Sequence, residues 1–241
     1  MGCNAAVDPQ CKADEKPQHL VSILPVAIDR FEVSVGAYGA CVKAGKCVAA
    51  GKGKLGDGLC NSGLAYADLQ PINCVNAAQA EQYCAWKGGR LPTEAEWELL
   101  ARGACSTPLC KSVAFRFPWG NLPLPAADCA MAWIAGNVAS GCNQGTTLET
   151  GAKIADKSPW GGYDLGGNLQ EWTADGYKAD FYSLADASKP SPKAPVSLVR
   201  VVRGGGGASK PADVRTSARF PADATTSSPW IGFRCVGVVG K

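Results

Sequence analysis

Residues 91–98, Leu-Pro-Thr-Glu-Ala-Glu-Trp-Glu, are the stretch of this 241-residue chain that decides its fold. Thr93 and Glu96 have the spacing of a capping box, in which each side chain accepts a hydrogen bond from the other residue's backbone N–H. Trp97 and the apolar residues three and four positions later lie on one helical face, and Gly103 is a stop signal. The stretch therefore predicts a short helix with a polar first turn and a buried face.

Two further segments predict short helices. Ser34 precedes Val35–Lys43, and Asn76 precedes Ala77–Lys87, and both residue types are common N-caps. After Gly103 the apolar pieces are short and are separated by Gly, Pro and Asn, which is typical of short strands. With 29 Gly and 16 Pro, the chain is expected to form one loop-rich α+β domain over residues 1–241, because no linker divides the pattern.

Composition argues against several classes of partner. The net charge is +3 and its lysines and arginines are well mixed, so no basic run indicates nucleic acid. The longest apolar run, Leu20–Ile28, is far shorter than the roughly 20 residues of a membrane span. The chain has a single histidine, His19, and no Cys-x-x-Cys pair, which disfavours zinc.

Twelve cysteines, an even number, predict several disulfides and an oxidising compartment, either extracellular or periplasmic. Three pairs of near neighbours can each close a short loop: Cys3 with Cys11, Cys105 with Cys110, and Cys129 with Cys142. The residues alone leave open the partners of Cys41, Cys47, Cys60 and Cys74.

Three later segments match one known family in the same order as residues 91–98. They are Phe117–Asn121 (FPWGN), Tyr163–Trp172 (YDLGGNLQEW), and Arg203–Gly205 (RGG) followed by Gly232–Cys235 (GFRC). Together they resemble the formylglycine-generating enzyme, or sulfatase-modifying factor, family. The resemblance implies an elaborated C-type-lectin-like fold with little regular secondary structure. It also implies a disulfide between Cys84 and Cys235.

The resemblance implies one structural calcium site in the second of these segments. Side-chain oxygens of Asp164 and Glu171 and the backbone carbonyls of Gly167 and Leu169 occupy the positions of the family's ligands. Calcium prefers such a mixture of carboxylate and carbonyl oxygens. The alternative is an Asp-initiated turn with two glycines, which needs no metal. A second calcium site of the family is expected to be absent or rebuilt, because Trp133 stands at a ligand position.

The family's copper chemistry lacks its donor atoms here. In active members two cysteines downstream of Arg-Gly-Gly bind copper(I), and oxygen then converts a substrate cysteine to formylglycine. The equivalent positions are Ser209 and Val214, and neither side chain is the soft ligand that copper(I) selects. No cysteine lies between Cys142 and Cys235, so no shift of the alignment restores a pair. A related iron chemistry needs several histidines, so we expect no copper, zinc or iron.

The leading hypothesis is a catalytically silent, secreted member of the family that acts as a binding or assembly module. Its partner would be a protein, a peptide or a glycan, or another copy of the chain. Five residues are candidates for the binding surface: Arg203, Ser209, Arg215, Arg219 and Trp230. Two alternatives stay open, an enzyme of the same family with altered chemistry and a structural subunit of an extracellular assembly.

Overall fold

The computed structural model describes residues 1–103, 115–122, 146–189 and 191–237. Three α-helices lie in these ranges: α1 is Val35–Lys43, α2 is Ala77–Trp86 and α3 is Glu94–Arg102. Short strands alternate with loops: β1 Ala27–Ile28, β2 Gly53–Leu55, β3 Gly58–Cys60, β4 Gln170–Gly176, β5 Val199–Gly204, β6 Phe220–Asp223, β7 Ile231–Gly232 and β8 Val236–Gly237. No helix in these ranges is long and apolar enough to cross a membrane.

The helix starts predicted from the sequence are confirmed. Ser34 caps α1 by accepting a hydrogen bond from the N–H of Ala37. The capping box of α3 is complete, since Thr93 N–H donates to the Glu96 carboxylate at 2.8 Å and Glu96 N–H donates to Thr93 Oγ1 at 3.2 Å. Asn76 forms the same arrangement at the start of α2. These caps satisfy N–H groups that have no partner within the helix.

A four-stranded sheet with the order β6-β5-β4-β7 organises the second half of the chain. β5 is antiparallel to both β4 and β6, and β7 runs parallel to β4. Glu171 of β4 lies opposite Arg203 of β5 on one side and opposite Gly232 of β7 on the other. The sheet thus brings the segment that ends at Trp172 next to both parts of the Arg203–Gly205 and Gly232–Cys235 pair. The predicted loop-rich α+β fold is confirmed.

The main core lies between α1, α2 and the sheet. Tyr38, Tyr83 and Phe233 form a cluster of rings with centroids 5.6 to 6.3 Å apart, and Trp172 is buried in the same core. Trp97 of α3 is buried in a separate cluster with two leucines. Trp97 thus lies on the predicted buried face of α3.

Four disulfides lie in the described ranges: Cys3–Cys11, Cys41–Cys47, Cys60–Cys74 and Cys84–Cys235. The predicted Cys3–Cys11 and Cys84–Cys235 bonds are both among them. The last bond joins α2 to the segment between β7 and β8 across a sequence separation of 151. The other four candidate cysteines, Cys105, Cys110, Cys129 and Cys142, lie outside the described residues, as does Trp133.

Candidate functional site

Two positions, 209 and 214, are those that the family resemblance equates with copper-binding cysteines. Both lie next to the backbone of Gly205. A β-carbon built on Gly205 would lie 3.3 Å from the β-carbon of Val214 and 3.4 Å from that of Ser209. The side chains of residues 209 and 214 therefore flank the same point of the backbone. This closeness supports the alignment by which the sequence assigned them to the metal pair. The side chains at that point are a hydroxyl, from Ser209, and a branched hydrocarbon without a donor atom, from Val214.

The surroundings of this point are packed. Val214 is fully buried in a small cluster with Phe117, whose ring stacks on Trp119 at a centroid distance of 5.0 Å. Ser209 Oγ accepts a hydrogen bond of 3.0 Å from Gly206 N–H, and its own N–H donates to Gly206 O at 2.8 Å. The serine hydroxyl thus closes a local turn and apolar packing fills the other position, which provides no soft ligand for a metal.

The predicted binding surface requires a correction, because three of its five residues are inside the protein. Arg203, Arg215 and Arg219 are at most 2% exposed. Arg203 donates to Glu98 Oε2 at 2.6 Å and to the carbonyl oxygens of residues 216, 217 and 218. Its hydrogen-bonding capacity is directed at its own chain, so it presents no charge to an external ligand.

The other two arginines are held in the same way. Arg219 forms two hydrogen bonds to the Glu94 carboxylate, at 2.6 and 3.0 Å. Arg215 pairs with Glu15 at 2.6 Å and with Asp8 at 2.8 Å. Bidentate pairing of a guanidinium with a carboxylate is among the strongest polar contacts in proteins. These arginines fasten the N-terminal region and α3 to the sheet and do not form a binding surface.

Ser209 and Trp230 are the two candidates that remain partly exposed. Both lie against Gly206, because a β-carbon there would be 2.9 Å from Trp230 O and Ser209 Oγ bonds Gly206 N–H. The indole N–H of Trp230 donates to Asp57 in the turn between β2 and β3. We call Asp57, Ser209 and Trp230 the Gly206 patch.

The predicted calcium loop has an unusual backbone. Asp164 and Asn168 both adopt the left-handed conformation, with φ of 59° and 63°. Asp164 Oδ2 accepts a hydrogen bond of 2.6 Å from Gly151 N–H. Asn168 exchanges hydrogen bonds with both backbone groups of Leu148. The loop is therefore fixed by contacts to the segment that precedes it.

Glu171 is buried and partly satisfied by its own chain. Arg234 binds both of its carboxylate oxygens at 2.7 Å, and the indole N–H of Trp97 donates to Oε2 at 2.9 Å. An ionised carboxylate accepts about four hydrogen bonds or metal contacts in total. Oε1 accepts one of these three bonds, so it retains room for a cation.

Two more buried carboxylates face this loop, and the sequence reasoning did not find them. Glu32 accepts hydrogen bonds from the Asn168 side chain at 2.7 Å and from Leu169 N–H at 3.1 Å. Asp156 accepts a long hydrogen bond of 3.4 Å from Gly166 N–H. No spacing rule connects these residues to the loop. Arg234, in contrast, lies inside the Gly232–Cys235 motif that carries part of the family resemblance.

The charges around the loop are unbalanced. Burial raises the pKa of Asp164 to about 6, and the neighbouring charge of Glu171 adds to the effect. Burial, followed by the charge of Asp164, raises the pKa values of Glu32 and Asp156 well above their usual range. Arg234 lowers all three, but one guanidinium cannot neutralise four carboxylates. An all-oxygen, acidic, buried donor set fits calcium.

A group elsewhere in the described ranges, at the N-terminal region, brings four ligand-type atoms close together. Single atoms of Cys3, Asp8, Cys11 and Glu15 lie within 4.8 Å of one another. The two sulfur atoms form a disulfide, and both carboxylates bind Arg215. The group therefore has no thiolate to offer, and its negative charge is already paired.

Curated relatives include enzymes, an inactive paralogue and parts of larger proteins. The chain is 32% identical to mouse formylglycine-generating enzyme over 183 residues, covering 73% of this chain and 46% of that protein. It is 31% identical to bovine inactive C-alpha-formylglycine-generating enzyme 2, covering 71% of this chain and 51% of the relative. It is 33% identical to serine/threonine-protein kinase pkn1 of Chlamydia pneumoniae, covering 68% of this chain and 23% of that protein. The chain thus spans about half the length of the first two and about a quarter of the third.

Solved structures share the fold over nearly the whole chain. PvdO from Pseudomonas aeruginosa superimposes with a TM-score of 0.77 and 26% identity, covering 98% of this chain and 89% of that one. Treponema denticola variable protein 1 has a TM-score of 0.66 at 22% identity, covering 94% and 88%, and supports the fold alone. In sequence, residues 1–238 match the family model described as the sulfatase-modifying factor enzyme 1-like domain. With these motifs, this fold and this match, the chain belongs to the sulfatase-modifying factor, or formylglycine-generating enzyme, family.

Proposed function

We propose that this protein is a catalytically silent member of its family that works as a binding module in an extracellular or periplasmic setting. The observation that carries the proposal is the meeting of Ser209 and Val214 at Gly205, where active relatives have two thiolates. Copper(I) needs soft sulfur ligands, and this point provides none. The inactive bovine paralogue supports the idea that the family's fold is used without its oxidase chemistry.

The Gly206 patch is the surface we assign to a protein, peptide or glycan ligand. It lies beside the former metal position and includes the partly exposed indole of Trp230. Tryptophan often anchors binding interfaces, because it combines a large apolar face with one hydrogen-bond donor. The buried arginines pair with carboxylates of their own chain and are not part of this surface. A second copy of the chain is an equally acceptable occupant in an assembly.

We also propose that the loop from Asp164 to Glu171 holds one structural calcium ion. Asp164 and Glu171 would supply carboxylate oxygens, and Gly167 and Leu169 would supply carbonyl oxygens. The excess of buried carboxylates over guanidinium groups supports a divalent cation at this place. Its role would be to tie the loop to β4, since a cation bound only by the folded state stabilises that state.

The silent-pocket proposal is tested by incubating the purified protein with copper, oxygen and a cysteine peptide of the sulfatase type. We expect no loss of peptide thiol. The matched variant S209C/V214C restores two sulfur atoms at the same point and is expected to bind copper(I), measured by competition with a chromogenic chelator. Turnover of the peptide by the unmodified protein would refute the proposal. Failure of the variant to bind copper would contradict the assigned alignment.

The binding proposal is tested on peptide and glycan arrays with the W230A variant. Trp160 is also an exposed loop tryptophan, at 58% exposure, so W160A is a matched control. Ligands of the Gly206 patch should be lost in W230A and kept in W160A. Equal retention in both variants would place the binding surface elsewhere.

A further inference from the structure

Asp156 is a buried acid that lies outside the predicted calcium loop. It ends a short 3-10 helix, Ile154–Asp156, and is 1% exposed. Its Oδ2 atom accepts the 3.4 Å hydrogen bond from Gly166 N–H, in the middle of the loop. Its Oδ1 atom is buried and has no hydrogen-bond partner among the residues that the structure describes. The carboxylate therefore faces the loop with one oxygen unused.

This arrangement is unfavourable without a further positive partner. A buried polar atom left without a partner costs about 1–3 kcal/mol, and more when it is charged. Asp164 and Glu171 both repel a negative charge on Asp156, and the pairing of Arg234 is with Glu171. The chain's own groups thus leave one carboxylate oxygen without compensation at the edge of the proposed cation site.

The coordination number of calcium accounts for such an oxygen. Calcium takes about 6–8 oxygen ligands. The loop offers one atom each from Asp164, Gly167, Leu169 and Glu171, and Glu171 has little capacity beyond one contact because Arg234 and Trp97 occupy its other positions. The loop alone leaves the shell incomplete, so an additional carboxylate at this place has a function.

We propose that Asp156 is a further ligand of the cation held by the Asp164–Glu171 loop, contributing Oδ1 directly to the ion. The inference rests on the proposed calcium site and adds a residue from a separate segment of the chain. The added negative ligand raises affinity for a divalent or trivalent oxygen-seeking cation. It also ties the 3-10 helix to β4 through the ion.

Terbium, which replaces calcium and emits when a nearby indole is excited, is a suitable probe. The indole N–H of Trp97 lies 2.9 Å from Glu171 Oε2, so bound terbium should be sensitised efficiently. The metal-stripped full chain is titrated with terbium and then competed with calcium. We compare the unmodified protein with D156N, with D164N in the loop, and with D175N, a buried acid outside the site.

We expect D156N to weaken terbium binding by about 10- to 100-fold, the range seen when a supporting group of a metal site is removed. D164N should weaken it at least as much, and D175N should leave it unchanged. Without metal, the melting temperature of D156N should equal or exceed that of the unmodified protein, because the substitution removes an acid that is packed near two other acids. A ligand role predicts this pattern, whereas a purely structural role predicts a lower melting temperature with unchanged affinity.

The outcomes separate the two proposals. Absence of terbium binding by the unmodified protein overturns the calcium site and this inference with it. Equal affinities of D156N and the unmodified protein, with loss in D164N, overturn the inference alone. If D156N does not fold, crystals of the unmodified protein soaked in terbium decide by anomalous scattering. Asp156 Oδ1 at about 2.3–2.6 Å from the ion supports the inference, and a position outside the first coordination shell overturns it.

Discussion

Two groups of buried carboxylates differ in how their charge is balanced. Glu94 and Glu98 of α3 face the guanidinium groups of Arg203 and Arg219 at 2.6 Å. The acids in and against the loop from Asp164 to Glu171 share mainly Arg234; they are Glu32, Asp156, Asp164 and Glu171. We call the first the α3 group and the second the loop group.

The pKa values of Glu98 in the α3 group and Asp164 in the loop group move in opposite directions. Burial alone would raise the pKa of Glu98, but the charges of Arg102 and Arg203 outweigh it and lower the pKa to about 2. In the loop group burial prevails and raises the pKa of Asp164 to about 6. The α3 group is therefore balanced by its own chain, whereas the loop group has an excess of negative charge that the proposed cation would balance.

The largest expected effect comes from breaking the α3 group. R203M leaves Glu98 Oε2 and three backbone carbonyls without the guanidinium that donates to them, and removing one partner of a buried pair costs about 3–5 kcal/mol. R90M is the matched control, because Arg90 pairs with Glu96 but its side chain is 49% exposed. Glu96 is buried but also accepts a hydrogen bond from Thr93 N–H, and water reaches the guanidinium of Arg90, so we expect a smaller loss in R90M. Urea unfolding at neutral pH measures both, and similar losses would contradict the importance of the buried network.

Removing calcium tests the loop group and should have the next largest effect. A ligand present at 100 times its Kd stabilises the folded state by about 2.7 kcal/mol. A chelator should therefore lower the melting temperature of the unmodified protein and leave that of D164N unchanged. R90M, which alters a pair outside the loop group, should keep the full response. If the chelator does not change the melting temperature of the unmodified protein, the proposed difference between the two groups is wrong.

The direction in which stability changes with pH distinguishes the α3 group in acid unfolding. Because the pKa of Glu98 is lowered on folding, its stabilising contribution is present above its unfolded pKa of about 4.5 and is lost as pH falls towards about 2. E98Q removes this titration, so the variant should lose about 2 kcal/mol at pH 6 and progressively less as pH falls. Urea midpoints between pH 6 and 2 measure the difference. A loss that stays constant over this range would show that Glu98 is not the titrating group.

The helix starts, the α+β class and two disulfides could be predicted because their signals are local or belong to family motifs. Thr93 and Glu96 are three positions apart, and the same physics acts wherever they occur. The environment of the arginines could not be predicted in this way. Charged residues are usually exposed, and the partner of Arg203 lies 105 positions away on α3.

The residues of the candidate site also divide into those that a motif predicts and those that only the fold brings together. Ser209 and Val214 follow from counting along a motif, and the structure brings them together at Gly205. Asp156 and Glu32 join the loop only through the fold, since Glu32 contacts Leu169 across 137 positions. Sequence reasoning thus proposed the loop from Asp164 to Glu171 as a calcium site, which stays a prediction, and it missed the acids packed against this loop.

The smallest expected effect concerns Asp175, an acid of β4 beside the α3 group that has no arginine of its own. Burial, with the charge of Glu94, raises its pKa to about 7, although the N–H groups of Glu94 and Ala194 donate to its two oxygens. A group with a raised pKa contributes fully below its unfolded value of about 3.8, and the contribution is lost as pH rises through about 7.

In D175N the amide cannot accept both hydrogen bonds, so we expect a loss of about 1 kcal/mol at pH 4 that shrinks by pH 8. Urea unfolding at pH 4, 6 and 8 measures the difference. D186N, at an exposed acid paired with Lys189, should differ little from the unmodified protein at all three values. A D175N loss that grows with pH would mean that Asp175 is ionised and compensated, like Glu98, and would place it with the balanced acids of the α3 group.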